Sequence, residues 1–326
     1  MSDAKAVASP FLGASEKAQR VRDWIDHAAR VDASVLILGE SGVGKELVAR
    51  AIHERSARGS QPYFPVNCAA IPETLIESEL FGHEAGAFTD ARTMRRGAFE
   101  LAHRGTLFLD EVGDLSPSAQ PKLLRSLETR EFYPIGSETP RAVDLRVIAA
   151  TNHDLMTMTL AGTFRSDLYF RLRVLEIRIP PLRERPDDIP ELSERLVASL
   201  VPASLGSRPS IAARTMRMLQ GYPWPGNVRE LRAVLERAIA LNGAHGTLDE
   251  AHFELTAPAT PSSSLDELLD REWKAARVRF EAAYAAHLLQ RSGGDVTRAA
   301  AASGLAPRSI YKMLHRQGLR PRHLDH

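Results

Sequence analysis

The segment VLILGESGVGKE, residues 35–46, constrains the fold of this chain more than any other. An apolar, β-rich run leads into Gly39, four further residues, Gly44 and Lys45, and a helical pattern follows. Glycines in this arrangement let backbone N–H groups turn inward around phosphate, and the start of the helix adds positive potential. We therefore predict a strand, a phosphate-binding loop and a helix, with Lys45 reaching the β- and γ-phosphates of a nucleotide. Glu46 stands where the generic motif has a hydroxyl for Mg²⁺.

Further β-rich runs place this loop in a parallel sheet. They are nearly apolar, alternate with helical patterns and read TLFL at 106–109, LRVIAAT at 145–151 and VLEIRI at 174–179. Such runs are typical of strands that helices cover on both faces. From RERPDDIPEL to about residue 255 the pattern is helical, with no convincing strand. We predict an α/β nucleotide-binding subdomain at 1–180 and a small helical lid subdomain at 181–255.

The composition limits the classes of protein to which this chain can belong. The chain has 326 residues, 44% of them hydrophobic and 25% charged, with a formal net charge of +1. These values are ordinary for a globular protein of two or three domains. The single cysteine, Cys68, excludes an internal disulfide. No apolar run approaches the ~18 residues that would cross a membrane. We predict a soluble, cytoplasmic protein without membrane contact, in which any nucleic-acid surface is local.

Two of the predicted strands end in polar side chains that suit nucleotide hydrolysis. In GTLFLDE, Asp110 is expected to hold Mg²⁺, directly or through water, and Glu111 to polarise an attacking water. In AATN, Thr151 and Asn152 stand where a polar group senses the γ-phosphate or, alternatively, caps a helix. Parallel strands bring these ends to one edge of the sheet, so we predict a single site there.

Three arginines are further candidates. Arg165 and Arg171 in GTFRSDLYFRL are either solvated helix residues or arginine fingers that enter the nucleotide site of a neighbouring subunit. Sequence spacing does not choose between these readings. In YPWPGNVREL a rigid Pro-Trp-Pro turn precedes a helix that displays Arg229. We expect that arginine to close the lid over the phosphates.

The stretch FGHEAGAFTDA, residues 81–91, places Phe88 and Thr89 among small residues. A surface turn whose one aromatic ring packs back onto the core explains this pattern, since solitary exposed apolar residues are common. A loop tip that presses the ring and the hydroxyl against another protein explains it as well. The stretch by itself favours the first reading.

Five segments together resemble the AAA+ domain of the sigma-54-dependent transcriptional activators, also called bacterial enhancer-binding proteins. They read GESGVGKELVARAIH, NCAAIPETLIESELFGHEAGAFTDA, GTLFLDEVGDLSPSAQPKLLR, GTFRSDLYFRLRVLEIRIPPLRERPDDIP and YPWPGNVREL. The resemblance runs from about Phe11 to Leu255 and implies an AAA+ P-loop fold, an oligomeric ring and a Mg²⁺-dependent ATPase. It implies a phosphate loop made of Gly39, Glu40, Ser41, Gly42, Val43, Gly44, Lys45 and Glu46.

The resemblance also implies roles for residues outside the loop. Asn67 matches a switch that restrains Glu111. Arg165 and Arg171 match fingers that act on a neighbouring subunit, and Arg229 matches the arginine of the lid. Glu46 after the lysine is usual in this family, so the missing hydroxyl is not a departure from it.

The family loop that contacts sigma-54 reads GAFTGA, and Phe88 and Thr89 match its contacting residues. Here Asp90 stands at the fifth position in place of glycine. A Cβ and a charge at this position restrict conformations of positive φ. We expect sigma-54 contact, with an altered engagement or looser control of the loop.

The C-terminal part divides into a linker, TAPATPSSS at 256–264, and a helical tail at 265–326. Residues 291–326 carry seven Arg or Lys against two Asp, which suits the DNA backbone or, alternatively, an ordinary helical hairpin with a basic face. GGDVTRAAAASGLAPRSIYKMLHRQGLR also resembles the Fis-type helix-turn-helix of these activators. That resemblance implies two paired units on a palindromic double-stranded site, with contacts from Arg308, Ser309, Tyr311 and Lys312.

We predict an activator that binds upstream DNA, assembles from dimers into a hexameric or heptameric ring and uses ATP to remodel the closed complex of the sigma-54 RNA polymerase. The alternative, which Asp90 keeps open, is a DNA-binding repressor or co-regulator of the ordinary polymerase that uses ATP only to oligomerise. The ESELFGHEAGAFTDA insertion argues against a replication initiator or an unfoldase. The AAA+ pattern starts close to Met1, so we expect either a fragment or a protein without a sensory domain, controlled by its expression level or by a separate regulatory protein.

Overall fold

The computed structural model describes residues 11, 13–87, 93–201, 208–242, 246–253 and 255 of the N-terminal part. In the C-terminal part it describes residues 277, 280, 281, 284, 288, 292, 296–306 and 308–310. The chain divides into two compact units, Met1–Leu255 and Thr256–His326. Within the described ranges, no helix combines the length and the apolar character needed to cross a membrane.

The first unit contains both strands and helices. The strands are β1 (Val35–Leu38), β2 (Tyr63–Asn67), β3 (Gly82–His83), β4 (Arg95–Arg96), β5 (Thr106–Asp110), β6 (Glu131–Phe132), β7 (Arg141–Ala142), β8 (Arg146–Thr151), β9 (Leu175–Arg178), β10 (Ser210–Ile211) and β11 (Thr247–Leu248). The α-helices are α1 (Glu16–Ala29), α2 (Lys45–Glu54), α3 (Glu73–Phe81), α4 (Ala98–Leu101), α5 (Ala119–Thr129), α6 (Leu155–Leu160), α7 (Ser166–Leu172), α8 (Ile189–Leu200), α9 (Ala213–Gly221) and α10 (Asn227–Asn242).

Five strands form a wholly parallel sheet in the order β2–β5–β8–β1–β9. The predicted parallel sheet is confirmed, and its strands match the apolar runs to within one residue at each end. The edge strand β2 was not among the predicted strands, because its sequence YFPVN includes Pro65. Proline lacks the backbone N–H of a sheet ladder and is therefore tolerated at an edge.

The sheet is covered on both faces, and successive residues of each strand point to opposite sides. In β5, Leu107 and Leu109 pack into the core beneath α3, α5 and α7, whereas Phe108 packs into the core beneath α1 and α2. β1 repeats the pattern, with Leu36 in the first core and Ile37 in the second. Strands buried on both sides have apolar residues at successive central positions, which is why they read as continuous apolar runs.

The lid subdomain is built from α8, α9 and α10 around a fully buried Trp224, whose indole N–H donates to the carbonyl oxygen of Leu219 at 2.8 Å. The helical lid is confirmed, but the expectation that it holds no strand is wrong. β10 and β11 pair in parallel over two residues each. Pairs this short carry no alternation that a sequence pattern can reveal.

The described part of the second unit holds helix α11 (Val296–Ser303). Gly304 follows it with a φ of 68°, and residues 308–310 are again helical. A small core joins the two segments through Val296, Ala299, Ala300 and Ile310, together with Leu288.

Candidate nucleotide-binding site

The phosphate loop connects β1 to α2 at the carboxyl edge of the sheet. Gly42 and Gly44 adopt φ values of 80° and 104°, a conformation that favours glycine. A Cβ on Gly42 would stand only 2.3 Å from the carbonyl oxygen of Gly226 in the lid. The turn therefore favours glycine at both positions, and the close approach of the lid requires it at Gly42.

Lys45 is the first residue of α2 and is 7% exposed. Its ammonium group donates to the carbonyl oxygen of Gly39 at 3.0 Å and to Oε1 of Glu111 at 2.8 Å. The predicted phosphate-binding lysine and the predicted water-polarising glutamate are thus in direct contact. A phosphate that bound Lys45 would compete with Glu111 for the same charge.

Glu111 follows β5 in a left-handed conformation with a φ of 50°. This region is uncommon for residues other than glycine, and such strain is often found at functional sites. Its second oxygen, Oε2, accepts the backbone N–H of Asn152 at 2.9 Å. Lys45 and the end of β8 together fix the carboxylate.

Asp110 ends β5, and its Oδ1 is buried without a hydrogen-bond partner among the described residues. Burial raises the pKa of this carboxyl, and the nearby Glu111 adds to the rise, while Lys45 opposes it. A buried acceptor with an unfavourable charge suits a hard cation, since Mg²⁺ is held in proteins by one or two carboxylates and by substrate phosphates. The donor set therefore fits the Mg²⁺ that the fold implies, with Asp110 as its protein ligand.

A cavity of about 560 Å³ joins the phosphate loop to the lid. The lid contributes cationic groups to its wall, which are Arg185, Arg195, Arg229 and Arg232. Apolar side chains from the segment before α1, from the lid and from α2 complete it, which are Phe11, Leu47, Leu192, Leu196 and Val228. Cationic groups facing an apolar wall suit a ligand that joins a phosphate chain to a flat ring.

Asn227 was overlooked as a site residue, although the sequence placed it at the start of a helix. It is fully buried and has a φ of 53°. Its Oδ1 accepts the N–H of Leu182 at 2.7 Å, while its Nδ2 donates to Glu40 and to the carbonyl oxygen of Ser41, both at 3.1 Å. This one amide therefore joins the lid to the phosphate loop. The only sequence signal is an asparagine beside a glycine, which marks a left-handed turn without naming its partners.

The lid is joined to the loop at two further points. Arg183 binds both carboxylate oxygens of Glu40 at 2.8 and 2.6 Å. Arg229, the predicted lid arginine, donates to Oγ of Ser41 at 2.9 Å. Gly39 and Glu40 belong to the loop but do not form part of the described cavity wall.

The remaining predicted residues lie near the site or apart from it. Asn67 pairs in register with Asp110 on the neighbouring strand, but its side chain accepts the N–H of Ala70 at 3.2 Å rather than binding Glu111. The alternative reading of AATN, a helix N-cap, is wrong, because Asp154 caps α6. Thr151 is fully buried and accepts the N–H of His153 at 3.0 Å.

The two candidate finger arginines do not line the described wall of this cavity. Arg165 precedes α7 and forms an exposed pair with Asp167, at 3.0 and 2.7 Å. Arg171 donates to the carbonyl oxygen of Leu127 at 2.7 Å. Among the described residues, neither arginine contacts the phosphate loop of its own chain.

Several predicted contact residues lie outside the described residues. They are Phe88 and Thr89 of the loop, with Asp90 beside them, and Tyr311 and Lys312 of the tail. Arg308 and Ser309 are described: Arg308 is exposed, and Ser309 donates its N–H to the carbonyl oxygen of Ala306 at 2.8 Å.

We expect Asp110→Asn to raise the free energy of unfolding of the nucleotide-free protein by about 1 kcal/mol while abolishing hydrolysis. The raised pKa of Asp110 means that its ionised form is less favourable in the folded than in the unfolded chain. The contribution of Asp110 to the free energy of unfolding of the wild type is thus present at low pH. It is lost as the pH rises through the pKa that Asp110 has in the folded protein. The advantage of the variant should therefore shrink as pH falls toward about 4, the ordinary pKa of Asp.

The matched control is Glu111→Gln, which removes the charge that pairs with Lys45 and should destabilise the protein instead. Thermal unfolding of both variants at neutral and acidic pH checks the prediction. An Asp110→Asn protein that melts below the wild type at neutral pH would contradict it.

We expect Asn227→Ala to lower the free energy of unfolding by about 2–4 kcal/mol and to weaken nucleotide binding, because the buried groups of the loop and lid lose their partner at a left-handed position. Asn227→Gly is the matched variant, since it relieves the backbone conformation but lacks the amide. Urea unfolding and nucleotide titration of both proteins provide the test. Wild-type behaviour of Asn227→Gly would mean that the two hydrogen bonds from Nδ2 do not hold the lid to the loop.

Comparison with known proteins gives two domain matches. Residues 11–178 match the Sigma-54 interaction domain, and residues 183–267 match the AAA+ ATPase lid domain. The chain is 45% identical over 309 residues to the Nif-specific regulatory protein of Azotobacter vinelandii, covering 92% of this chain and 57% of that protein. It is 42% identical over 322 residues to the transcriptional regulatory protein ZraR of Salmonella typhimurium, covering 97% and 70% respectively.

The formate hydrogenlyase transcriptional activator FhlA of Escherichia coli is 48% identical over 263 residues, which are 80% of this chain and 38% of that protein. The chain thus spans little more than half of some curated relatives, and less of others. Among solved structures, NtrX from Brucella abortus in complex with ADP superposes with a TM-score of 0.70 at 34% identity, over 94% of this chain and 70% of that one. NtrX from Brucella abortus in complex with ATP superposes with a TM-score of 0.69, over 94% of this chain and 69% of that one.

Proposed function

This chain belongs to the sigma-54-dependent transcriptional activators, and from that membership we propose that it hydrolyses ATP in an oligomeric ring to open sigma-54 promoters. The observation that carries the proposal is the cavity in which Lys45, Asp110 and Glu111 meet the arginines of the lid. The AAA+ fold supports nucleotide binding and ATPase activity, and the sigma-54 interaction domain supports sigma-54 as partner.

The contact between Lys45 and Glu111 suggests how binding prepares hydrolysis. The β- and γ-phosphates attract the ammonium of Lys45, which weakens its 2.8 Å bond to Glu111. The carboxylate of Glu111 then has a free oxygen, while the N–H of Asn152 still holds the other. That free oxygen accepts a proton from the attacking water as it approaches the γ-phosphate. Asn67 lies one strand away, where its amide restrains Glu111 once it leaves the N–H of Ala70.

Bound Mg²⁺ supplies positive charge that stabilises the phosphate oxygens, and Asp110 is the residue that would hold it. The lid arginines also supply positive charge to the phosphate oxygens, from the opposite wall of the cavity. Arg229 exchanges the hydroxyl of Ser41 for phosphate oxygens, and Asn152, exposed at the end of β8, senses the γ-phosphate. Together these groups exclude water from the phosphates other than the one that Glu111 orients.

Arg165 and Arg171 complete the site of a neighbouring subunit in this proposal. The pair between Arg165 and Asp167 is about half exposed, and water screens exposed pairs of this kind so that they contribute little. Such a pair is easily exchanged for a contact with the γ-phosphate of a neighbour. Ring assembly is then a condition for turnover, whether the ring holds six or seven subunits.

The loop that includes Phe88 and Thr89 is proposed to contact sigma-54. Its described base is the antiparallel pair of β3 and β4. His83 fixes this base, with Nδ1 2.7 Å from Oγ of Ser78 and Nε2 3.1 Å from the carbonyl oxygen of Thr93. The base is therefore anchored to α3, through which movement of the nucleotide site can reach the loop.

The second unit is proposed to bind double-stranded DNA as a helix-turn-helix, with paired units on a palindromic upstream site. Support comes from the small helical core, from the exposed Arg308 and from the basic balance of residues 291–326. Arg308, Ser309, Tyr311 and Lys312 are the proposed contacts. Binding should weaken steeply with salt, because phosphate contacts release counterions.

The alternative remains a repressor or co-regulator of the ordinary polymerase, favoured by one observation, Asp90 in place of the loop glycine. Cytoplasmic location and control by a separate regulatory protein stay predictions.

Transcription with purified components separates the two functions. Our proposal predicts ATP-dependent open complexes with the sigma-54 polymerase and none with the polymerase that carries the ordinary sigma factor. Regulation of the ordinary polymerase, together with inactivity at sigma-54 promoters, would overturn it.

A further inference from the structure

A second, smaller cavity lies at the amino edge of the parallel sheet, on the side away from the phosphate loop. Its volume is about 160 Å³. The walls come from segments just before β1 and at the start of β8, from the end of α5 and from the end of α7 and the residues after it. The described lining residues are Asp32, Ala33, Ser34, Leu127, Arg130, Leu145, Arg146, Val147, Arg171 and Val174.

Positive charge dominates this cavity. Arg130, Arg146 and Arg171 line it, against the single carboxylate of Asp32. That carboxylate is already engaged, because Arg58 binds its two oxygens at 2.9 and 2.8 Å and holds the pKa of Asp32 below its usual range. Asp32 also attracts Arg146 and Arg130, but one carboxylate that already pairs with Arg58 does not balance three guanidinium groups, so the described wall keeps a net positive charge.

Arg146 is the most constrained of the three, since it is only 3% exposed. Its Nε donates to the carbonyl oxygen of Ala33 at 3.1 Å, and its Nη2 to that of Ala28 at 2.8 Å. Its Nη1 is buried and has no hydrogen-bond partner in the described part of the chain. An unpaired buried cationic donor is unfavourable, and burial accordingly lowers the pKa of this guanidinium.

The other two arginines are fixed at the cavity wall by backbone carbonyl groups. Nη1 of Arg130 donates to Leu145 at 2.7 Å, and Nη2 of Arg171 donates to Leu127 at 2.7 Å. A guanidinium has five N–H donors, so each head group keeps further donors after its backbone contact. Arg130 and Arg146 are thus held in place by main-chain contacts and still have donors to offer a ligand, while Arg171, proposed above to act on a neighbouring subunit, adds only positive charge to the wall.

We propose that this cavity binds a phosphate group, either as inorganic phosphate or as the phosphoryl group of a small monoester. Guanidinium groups bind phosphate with short, charge-assisted and often bidentate hydrogen bonds. A tetrahedral group offers acceptors both to Arg130, which follows α5, and to Arg146, which begins β8. At about 160 Å³ the cavity is smaller than the ~300 Å³ at which pockets for larger ligands begin, so it excludes a nucleotide.

Calorimetric titration of inorganic phosphate into the full chain tests the proposal, with the phosphate loop first saturated by a non-hydrolysable ATP analogue and the ionic strength held constant with chloride. We expect saturable binding of one phosphate per chain. Methyl phosphate as a second titrant distinguishes the two sources. Binding of both titrants would show that the cavity accepts phosphoryl groups in general. Binding of inorganic phosphate alone would show that it accepts only the free ion.

Arg130→Gln should weaken phosphate binding about tenfold, the loss expected for one charge-assisted contact. The matched control is Arg125→Gln, five positions earlier in the sequence, whose guanidinium stacks on the ring of Tyr133 outside this cavity and should leave binding unchanged. Arg146→Met should abolish binding; if this buried variant does not fold, Arg130→Gln decides alone.

Three results would overturn the proposal. They are no saturable binding to the wild-type chain, an equal loss of affinity in Arg130→Gln and Arg125→Gln, and acetate that binds as tightly as phosphate.

Discussion

Lys45→Ala is expected to lower ATP turnover about 100- to 1,000-fold, the range for removing one preorganised donor to a developing negative charge. The structure adds a second reason. Lys45 is the partner of Glu111 at 2.8 Å, so its loss leaves the carboxylate, which is 17% exposed, without a cation. The variant thus loses phosphate binding and the group that positions Glu111 before nucleotide binds. Steady-state turnover and nucleotide titration on the purified chain measure both losses.

Lys122→Ala is the matched control for Lys45→Ala. Lys122 pairs with Glu77 on the surface, where ion pairs contribute about 0–1 kcal/mol, and its removal should leave turnover unchanged. Thermal unfolding of both variants separates a lost site from a lost fold. A folded Lys45→Ala protein that hydrolyses ATP at the wild-type rate would contradict the role of the phosphate loop.

Arg165→Ala is expected to lower turnover about 1,000-fold without weakening nucleotide binding to the isolated subunit, as for arginine fingers in general. The physical reason is that Arg165 lies on an exposed surface outside the cavity of its own chain, where only a neighbour's phosphates can use its charge. Arg173→Ala is the control. Arg173 also lies at the end of α7, but it pairs with Glu176 and stacks on Tyr169.

Mixing two inactive proteins distinguishes action on a neighbour from action within one chain. A Lys45→Ala subunit supplies an intact Arg165, and an Arg165→Ala subunit supplies an intact Lys45. Mixed rings should therefore regain part of the turnover, and the gain should depend on the mixing ratio. If mixtures stay inactive while rings assemble, Arg165 does not act on the neighbouring site.

Local patterns in the sequence predicted the centre of this fold well. β1, β5 and β8 are buried on both faces, so each reads as an apolar run, and their parallel order brings the phosphate loop, Asp110 and Asn152 to one edge. Glycines at positive φ and a lysine at the start of a helix are likewise local features. Each of these features depends on about a dozen neighbouring residues, so the sequence shows it directly.

Other features depend on residues that are distant in sequence. Asn227 joins Glu40 and Ser41 across more than 180 positions, and nothing beside it in the chain names those partners. In the sequence, Arg195 and Arg232 are ordinary charged residues of helices. Only the folded lid places them in the wall of the cavity. The contact between Lys45 and Glu111 belongs to the same class, because the motifs gave each residue a role toward the nucleotide but none toward each other.

Open-complex formation by a Phe88→Ala/Thr89→Ala double variant tests the central claim most directly. The purified protein would be assembled, supplied with ATP and combined with the sigma-54 polymerase on promoter DNA, while ATP turnover and promoter melting are followed in the same reaction. We predict that hydrolysis continues at the wild-type rate and that promoter melting is abolished. Melting as efficient as that of the wild type, at the same turnover, would contradict the account.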